Sequence, residues 1–148
     1  MKFFFRIFFH FALLFLIMSC ARRSSPTGGL KDSIPPELLR AYPKMNSTFF
    51  DKDEIELVFD EYIKIKDLGR QLIISPPIEK SYYKIKPPES VVSKKIEIEL
   101  LDSLDENTTY TFNFGNSIAD NNEDNLLPFF YYAFSTGPVL DSLQIRGK

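Results

Sequence analysis

A chain of 148 residues has room for one domain, and an apolar content of 44% excludes a disordered polymer. The formal charge is −2; cutting away residues 1–19 would remove Lys2 and Arg6 and leave 16 basic against 20 acidic residues, a charge of −4. This mildly acidic balance excludes a nucleic-acid binder, which needs a basic stripe, and the pairs Arg22-Arg23 and Lys94-Lys95 are too short to supply one.

Residues 1–19 read as a secretory signal. Lys2 and Arg6 make a positive start, Phe11 to Met18 is an unbroken apolar run of eight, and the small Ser19 precedes the cut. Arg6 and His10 interrupt the apolar stretch, which falls short of the roughly 20 residues of a spanning helix. Seven of the fifteen Phe lie in this segment and are not available to a core. Cys20 follows, the single cysteine, so no disulfide can close within the chain. The stretch Ile17-Met18-Ser19-Cys20 resembles the lipobox of bacterial lipoproteins, with Met18 where Ala or Ser is more usual. The resemblance implies that the Cys20 thiol carries a diacylglyceryl group, that the signal is removed, and that the new terminal amine is acylated. One acyl chain holds a protein only marginally; each buried CH₂ adds about 0.8 kcal/mol, so three chains make the attachment effectively permanent. Position 21 is Ala rather than Asp. By resemblance to the sorting of enteric lipoproteins, this favours the outer membrane. No acidic cluster of the kind used for surface display follows Cys20, so the expected orientation faces the periplasm.

Residues 20–34 contain the cysteine and a tether rich in Ser, Pro and Gly, without an apolar period. Beyond it the period is two. Ile55, Leu57 and Phe59, then Ile96, Ile98 and Leu100, then Tyr110, Phe112 and Phe114, then Phe130, Tyr132 and Phe134 each put large side chains on one face of a strand. Weaker strands are expected over Leu38–Tyr42, Gln71–Ser75 and Tyr82–Lys86. The last two run into Pro76-Pro77 and Pro87-Pro88, which suit sheet edges because proline donates nothing to a ladder. About seven short strands and no helix predict an all-β fold, a Greek-key β-sandwich. Leu104 followed by Thr108-Thr109-Tyr110 resembles the tyrosine corner of such sandwiches, in which the Tyr110 hydroxyl would bond to backbone a few residues upstream.

The segments LRAYPKMNS, IELVFDEYI, LDENTTYTFNFGNSIADNNEDN and YYAFSTG, in that order, resemble the bacterial Ig-like domain of S-layer proteins and Gram-negative envelope lipoproteins. The resemblance covers about Pro35 to Gly137 and implies an Ig-like domain over 35–138. In the lipoproteins it resembles, this domain sits directly behind the lipidated cysteine and is followed by others. Residues 139–148 carry Leu140, Leu143 and Ile145, which read as the opening of a further strand in a longer protein.

Chemistry leaves little trace. The one histidine, His10, lies in the signal, which removes Ser-His-Asp and Cys-His arrangements and His/Cys zinc sites from the rest. No phosphate-binding glycine motif is present. Asp60-Glu61 are neighbours whose side chains would point to opposite faces, and they read as a solvated turn ending a strand. Asp120, Asn122 and Asp124 have the alternate spacing of a calcium loop but lack its glycine and its terminal glutamate, so an Asx-turned hairpin loop is the simpler reading. Tyr82-Tyr83 and Tyr131-Tyr132 are adjacent pairs, and one member of each must face outward, where Tyr82 and Tyr131 are candidates for a sugar or a neighbouring domain. The sequence therefore predicts a non-enzyme without cofactor or metal, anchored to a membrane through Cys20, serving as a structural or interaction module beside another domain or envelope protein. Two alternatives stand beside it: a carbohydrate- or peptidoglycan-binding module, and the N-terminal part of a larger protein whose activity lies downstream.

Overall fold

A computed structural model describes residues 29–141. The signal segment, Cys20 and the strand start at Leu143 and Ile145 lie outside the described residues. The chain divides into the units Met1–Lys31 and Asp32–Lys148, and every element named below belongs to the second.

Nine strands form in chain order: β1 (Leu38–Tyr42), β2 (Glu54–Ile65), β3 (Ile73–Ser75), β4 (Tyr83–Lys86), β5 (Ser93–Leu100), β6 (Thr109–Gly115), β7 (Ile118–Asp120), β8 (Leu126–Leu127) and β9 (Phe130–Ser135). One sheet runs β4-β5-β2-β7-β8, with β1 also on β2; the other runs β3-β6-β9. All pairings between these strands are antiparallel. All seven strands expected from the period are present, and the two sheets pack as an Ig-like sandwich. Strands β3 and β4 are sheet edges that end before Pro76 and Pro87, as a residue without a ladder donor requires.

The inner faces carry the predicted residues. Ile55, Leu57, Phe59, Ile96, Ile98, Phe112, Phe114, Tyr132 and Phe134 are all buried, and each such side chain removed from water contributes about 1.5–3 kcal/mol. Phe134 is the centre of an aromatic group. Its ring centroid lies 4.0 Å from Phe50, 5.8 Å from Tyr110, 5.9 Å from Tyr132 and 6.4 Å from Phe112.

Three details depart from the expectation. Strand β2 does not turn at Asp60-Glu61 but continues to Ile65. Ile63 and Ile65 keep the inward phase of Ile55, Leu57 and Phe59, so ending the strand at residue 60 would have exposed two isoleucines. The first half of β2 lies between β5 and β1, and its second half pairs with β7. Strands β7 and β8 are additional, because so short a hairpin shows no period of its own. A single-turn helix, α1 (Leu68–Gln71), and a 3-10 turn (Lys80–Tyr82) take up Gln71 and Tyr82, so β3 and β4 start later than the sequence predicts.

Candidate interaction surfaces

The β5–β6 connection, residues 101–108, crosses from one sheet to the other. The buried Tyr110 hydroxyl accepts the backbone N–H of Asp105 at 3.1 Å, five residues upstream. Burial pushes the phenol above its ordinary pKa, so the hydroxyl stays protonated there. Thr136, just beyond β9, closes the same corner: its hydroxyl accepts the Thr108 N–H at 2.9 Å and donates to the Asp105 carbonyl at 2.7 Å. Asn107 turns the chain with a positive φ of 52°, and Gly137 lies so close that a Cβ there would sit 2.7 Å from the Asn107 Cα. The LDENTTY and FSTG segments are thus two halves of one physical joint.

At the opposite loop, Asp120 is buried and its carboxylate gathers the turn. One oxygen accepts the N–H of Glu123 at 2.7 Å and of Asp124 at 3.1 Å; the other accepts Asn125 N–H at 2.8 Å. Burial, the largest influence, opposes ionisation, but the backbone donors outweigh it and hold Asp120 below the usual carboxylate range. Asp124 points elsewhere, to Lys64 at 2.6 Å and Lys66 at 2.7 Å, and hydrogen bonds from these two lysines bring its pKa down to about 2. Asn122 is exposed and is paired with the side chain of Asn121 at 3.3 Å. The three calcium-spaced residues therefore serve different partners, and the loop is an Asx-turned hairpin. Among the described residues no group of three or more His, Cys, Asp or Glu is arranged to hold a metal ion.

Asp60 and Glu61 separate as neighbours on a strand must. The exposed Asp60 accepts the Glu37 N–H at 2.8 Å, while Glu61 occupies an inward-phase position. Burial and then the charges of Asp120, Asp60, Asp32 and Glu123 raise the Glu61 pKa. The two carboxyls do not converge on one bond.

The two outer faces differ in chemistry. Across the six-stranded sheet, Glu56 faces Glu97, which faces Lys86; beside them Val58 faces Lys95, and Glu99 faces Lys84. Lys86 pairs with Glu99, Lys95 with Glu97 and with Glu56 at 3.2 Å, and Arg40 with Glu56 at 3.8 Å. Exposed Tyr62 lies under Lys94, with 5.2 Å from the ammonium to the ring centre. The outward-phase residues of β3, β6 and β9 are uncharged, although Ala133 and Ser135 among them are buried and the exposed Asp141 donates its N–H to Thr109 Oγ1 at 2.9 Å. Ile73, Asn113 and Tyr131 form one cross-strand row, Ser75, Thr111 and Ala133 a second, and Thr109 with Ser135 a third.

Tyr131 is 49% exposed and Tyr82 43%, while Tyr132 and Tyr83 turn inward. Tyr132 donates its hydroxyl to the Pro43 carbonyl at 2.9 Å. Tyr131 lies on the outer side of β3-β6-β9 and Tyr82 in the turn before β4, so the two candidates belong to different sheets. A groove of about 760 Å³ opens at the loop end near the tyrosine corner, lined by Phe50, Asp53, Leu101, Asp102, Glu106 and Thr136 among others.

Residues 32–136 match the family described as the bacterial Ig-like domain. The chain belongs to that family. Among solved structures, the Ig-like domain is similar to an L,D-transpeptidase from Mycobacterium smegmatis, with 16% identity and a TM-score of 0.40 over 70% of this chain and 41% of that one. The chain thus spans well under half the length of that protein. No curated protein matches the chain. The Ig-like domain family is one of non-catalytic structural or interaction modules, and the geometry of this member is of that kind. Its buried carboxylate and phenols tie loops to strands, and Asp124, Glu56, Glu97 and Glu99 pair with lysines. Sequence reasoning missed Thr136, whose role depends on the approach of two distant segments. It also missed Glu61, whose inward phase becomes visible once Ile63 and Ile65 are counted with the same strand.

Proposed function

We propose that this protein is a lipid-anchored component of the bacterial cell envelope whose Ig-like domain is a non-catalytic structural and interaction module. The anchor would be acyl chains on Cys20, holding the protein on the periplasmic side of the outer membrane. The reading of the domain rests on one observation: among the described residues the fully buried titratable side chains, Asp120, Tyr110 and Tyr132, are committed to fastening its own backbone. Such a domain presents surfaces and sets spacing, and its neighbour would be a further domain or an envelope protein. The anchor rests on the apolar run that ends in Ile17-Met18-Ser19-Cys20. Replacing Cys20 by Ala tests it. The unaltered chain should sediment with the outer-membrane fraction and incorporate a fatty-acid label; Cys20→Ala should do neither. A Cys20→Ala chain that stays in the outer membrane and labels as before would refute the anchor.

A further inference from the structure

The segment that leads into β1, residues 32–37, is not a strand, yet it is fastened to the domain. Pro35-Pro36 have no N–H, so between Ile34 and Glu37 the backbone can only accept hydrogen bonds. The Ile34 N–H turns back to Asp32 Oδ1 at 3.0 Å. One distant side chain supplies donors to the carbonyls. The Asn125 amide nitrogen donates to the Asp32 carbonyl at 3.2 Å and to the Ile34 carbonyl at 3.3 Å. Beyond the prolines the segment is held a second time. Asp60 Oδ1 accepts the Glu37 N–H at 2.8 Å, and the Asp60 N–H donates to the Glu37 carbonyl at 3.1 Å. Pro36 is buried between these two points, whereas Asp32, Ser33 and Ile34 are exposed.

Asn125 is itself held in place. Its N–H donates to Asp120 Oδ2 at 2.8 Å, and its carbonyl accepts the Asp120 N–H at 3.1 Å. The residue that closes the hairpin loop therefore also aims the Asn125 amide at the leading segment. The two fastenings differ in strength. Glu37 and Asp60 exchange a pair of bonds, one of them to a carboxylate, while Asp32 and Ile34 depend on a single neutral amide at the surface. An exposed segment held by so few bonds opens at a lower free energy than strands held by ladders and a packed interior. We infer that residues 32–36 are a strap, latched by Asn125, that sets the direction in which the chain leaves the domain and opens while the sandwich stays folded. The two prolines stiffen the strap, since each has its φ fixed near −65°. Once open, its five residues at about 3.4 Å each add about 17 Å of reach ahead of the domain. This rests on the reading of the domain as a module that sets spacing, and it gives that spacing two values.

Trypsin cleavage after Lys31 tests the strap on the full chain in detergent, because the protease must draw the residues after Lys31 into its own cleft. Asn125→Ala should speed that cut about tenfold, the effect of two neutral hydrogen bonds lost together. Asn125→Asp keeps the size but has no donor, and should behave like Asn125→Ala. Asp60→Ala, which frees the other end, should also speed the cut. Asn122→Ala, in the same loop but away from the strap, should leave it unchanged. Hydrogen exchange in β6 and β9 should be the same in Asn125→Ala as in the unaltered chain. The inference is overturned if Asn125→Ala or Asn125→Asp is cut after Lys31 no faster than the unaltered chain. It is equally overturned if Asn125→Ala loosens β6 and β9 or does not fold, since the segment would then be part of the sandwich and not a separate strap. A chain that is acylated at Cys20 but indifferent to Asn125→Ala would leave the anchored-module reading intact, so the two can fail separately.

Discussion

Asp120 closes a five-residue turn with one carboxylate, and removing it leaves three backbone donors without their acceptor. Asp120→Ala should therefore cost about 2–4 kcal/mol in urea unfolding, because charged acceptors count for more than neutral ones and the orphaned donors add their own penalty. Its folded pKa is lowered, so its contribution is complete above the unfolded value and is lost as pH falls through the folded one. Glu61 behaves in the opposite sense. Burial, followed by Asp120 and the other nearby acids, raises its folded pKa. The native state then holds that proton more tightly than the unfolded chain, and stability declines as pH rises from the unfolded value through the folded one. Glu61→Gln should raise the free energy of unfolding at neutral pH, by no more than about 1 kcal/mol since solvent screens a partly exposed group. The gain should vanish below the ordinary value of 4.5. A Glu61→Gln chain that gains the same stability at low and neutral pH would show that charge is not the cause. Tyr110 was legible as a residue with a role because Leu104, the threonines and the tyrosine stand close in sequence. Glu61 was not, because its environment is assembled from β7 and from the segment before β1.

The strands were legible wherever a large apolar residue alternates with a polar one over five or more positions, as in Ile55–Phe59 or Tyr110–Phe114. Where Asp60, Glu61 and Tyr62 interrupt the alternation, the continuation of β2 depends on β7 as partner, and pairing across 55 residues is invisible to a local period. The same limit applies to the joint between Asn107 and Gly137. The element that integrates the core is β9. Phe134→Ala should cost about 3–5 kcal/mol, the loss of transfer energy plus the cavity left among four rings. Lys95→Ala on the outer face should change stability far less than Phe134→Ala despite its two acidic partners, since exposed ion pairs gain little in water. Equal losses for the two variants in denaturant titrations would mean that the charged face, and not the aromatic interior, holds the sheets together. Gly137→Ala should destabilise the corner, because the added Cβ would meet the Asn107 backbone rather than a movable side chain.

The whole molecule contains a bacterial Ig-like domain over residues 32–136, and the proposed anchor precedes it in sequence. The sandwich was legible because its core is built from side chains that advertise themselves by period. The run of neutral residues on the outside of β3-β6-β9 was not, since Thr, Ser and Asn on alternate positions look like ordinary solvent-facing residues until three strands are laid side by side. The charge left after removal of residues 1–19 is −4, and on the six-stranded sheet Lys86 and Lys95 are paired with acidic neighbours. The central claim is attachment through Cys20, and intact mass of the native protein extracted from cell membranes tests it most directly. The account predicts a species that begins at Cys20, lacks residues 1–19 and carries the mass of added acyl chains. An unacylated chain that still contains residues 1–19 would contradict it.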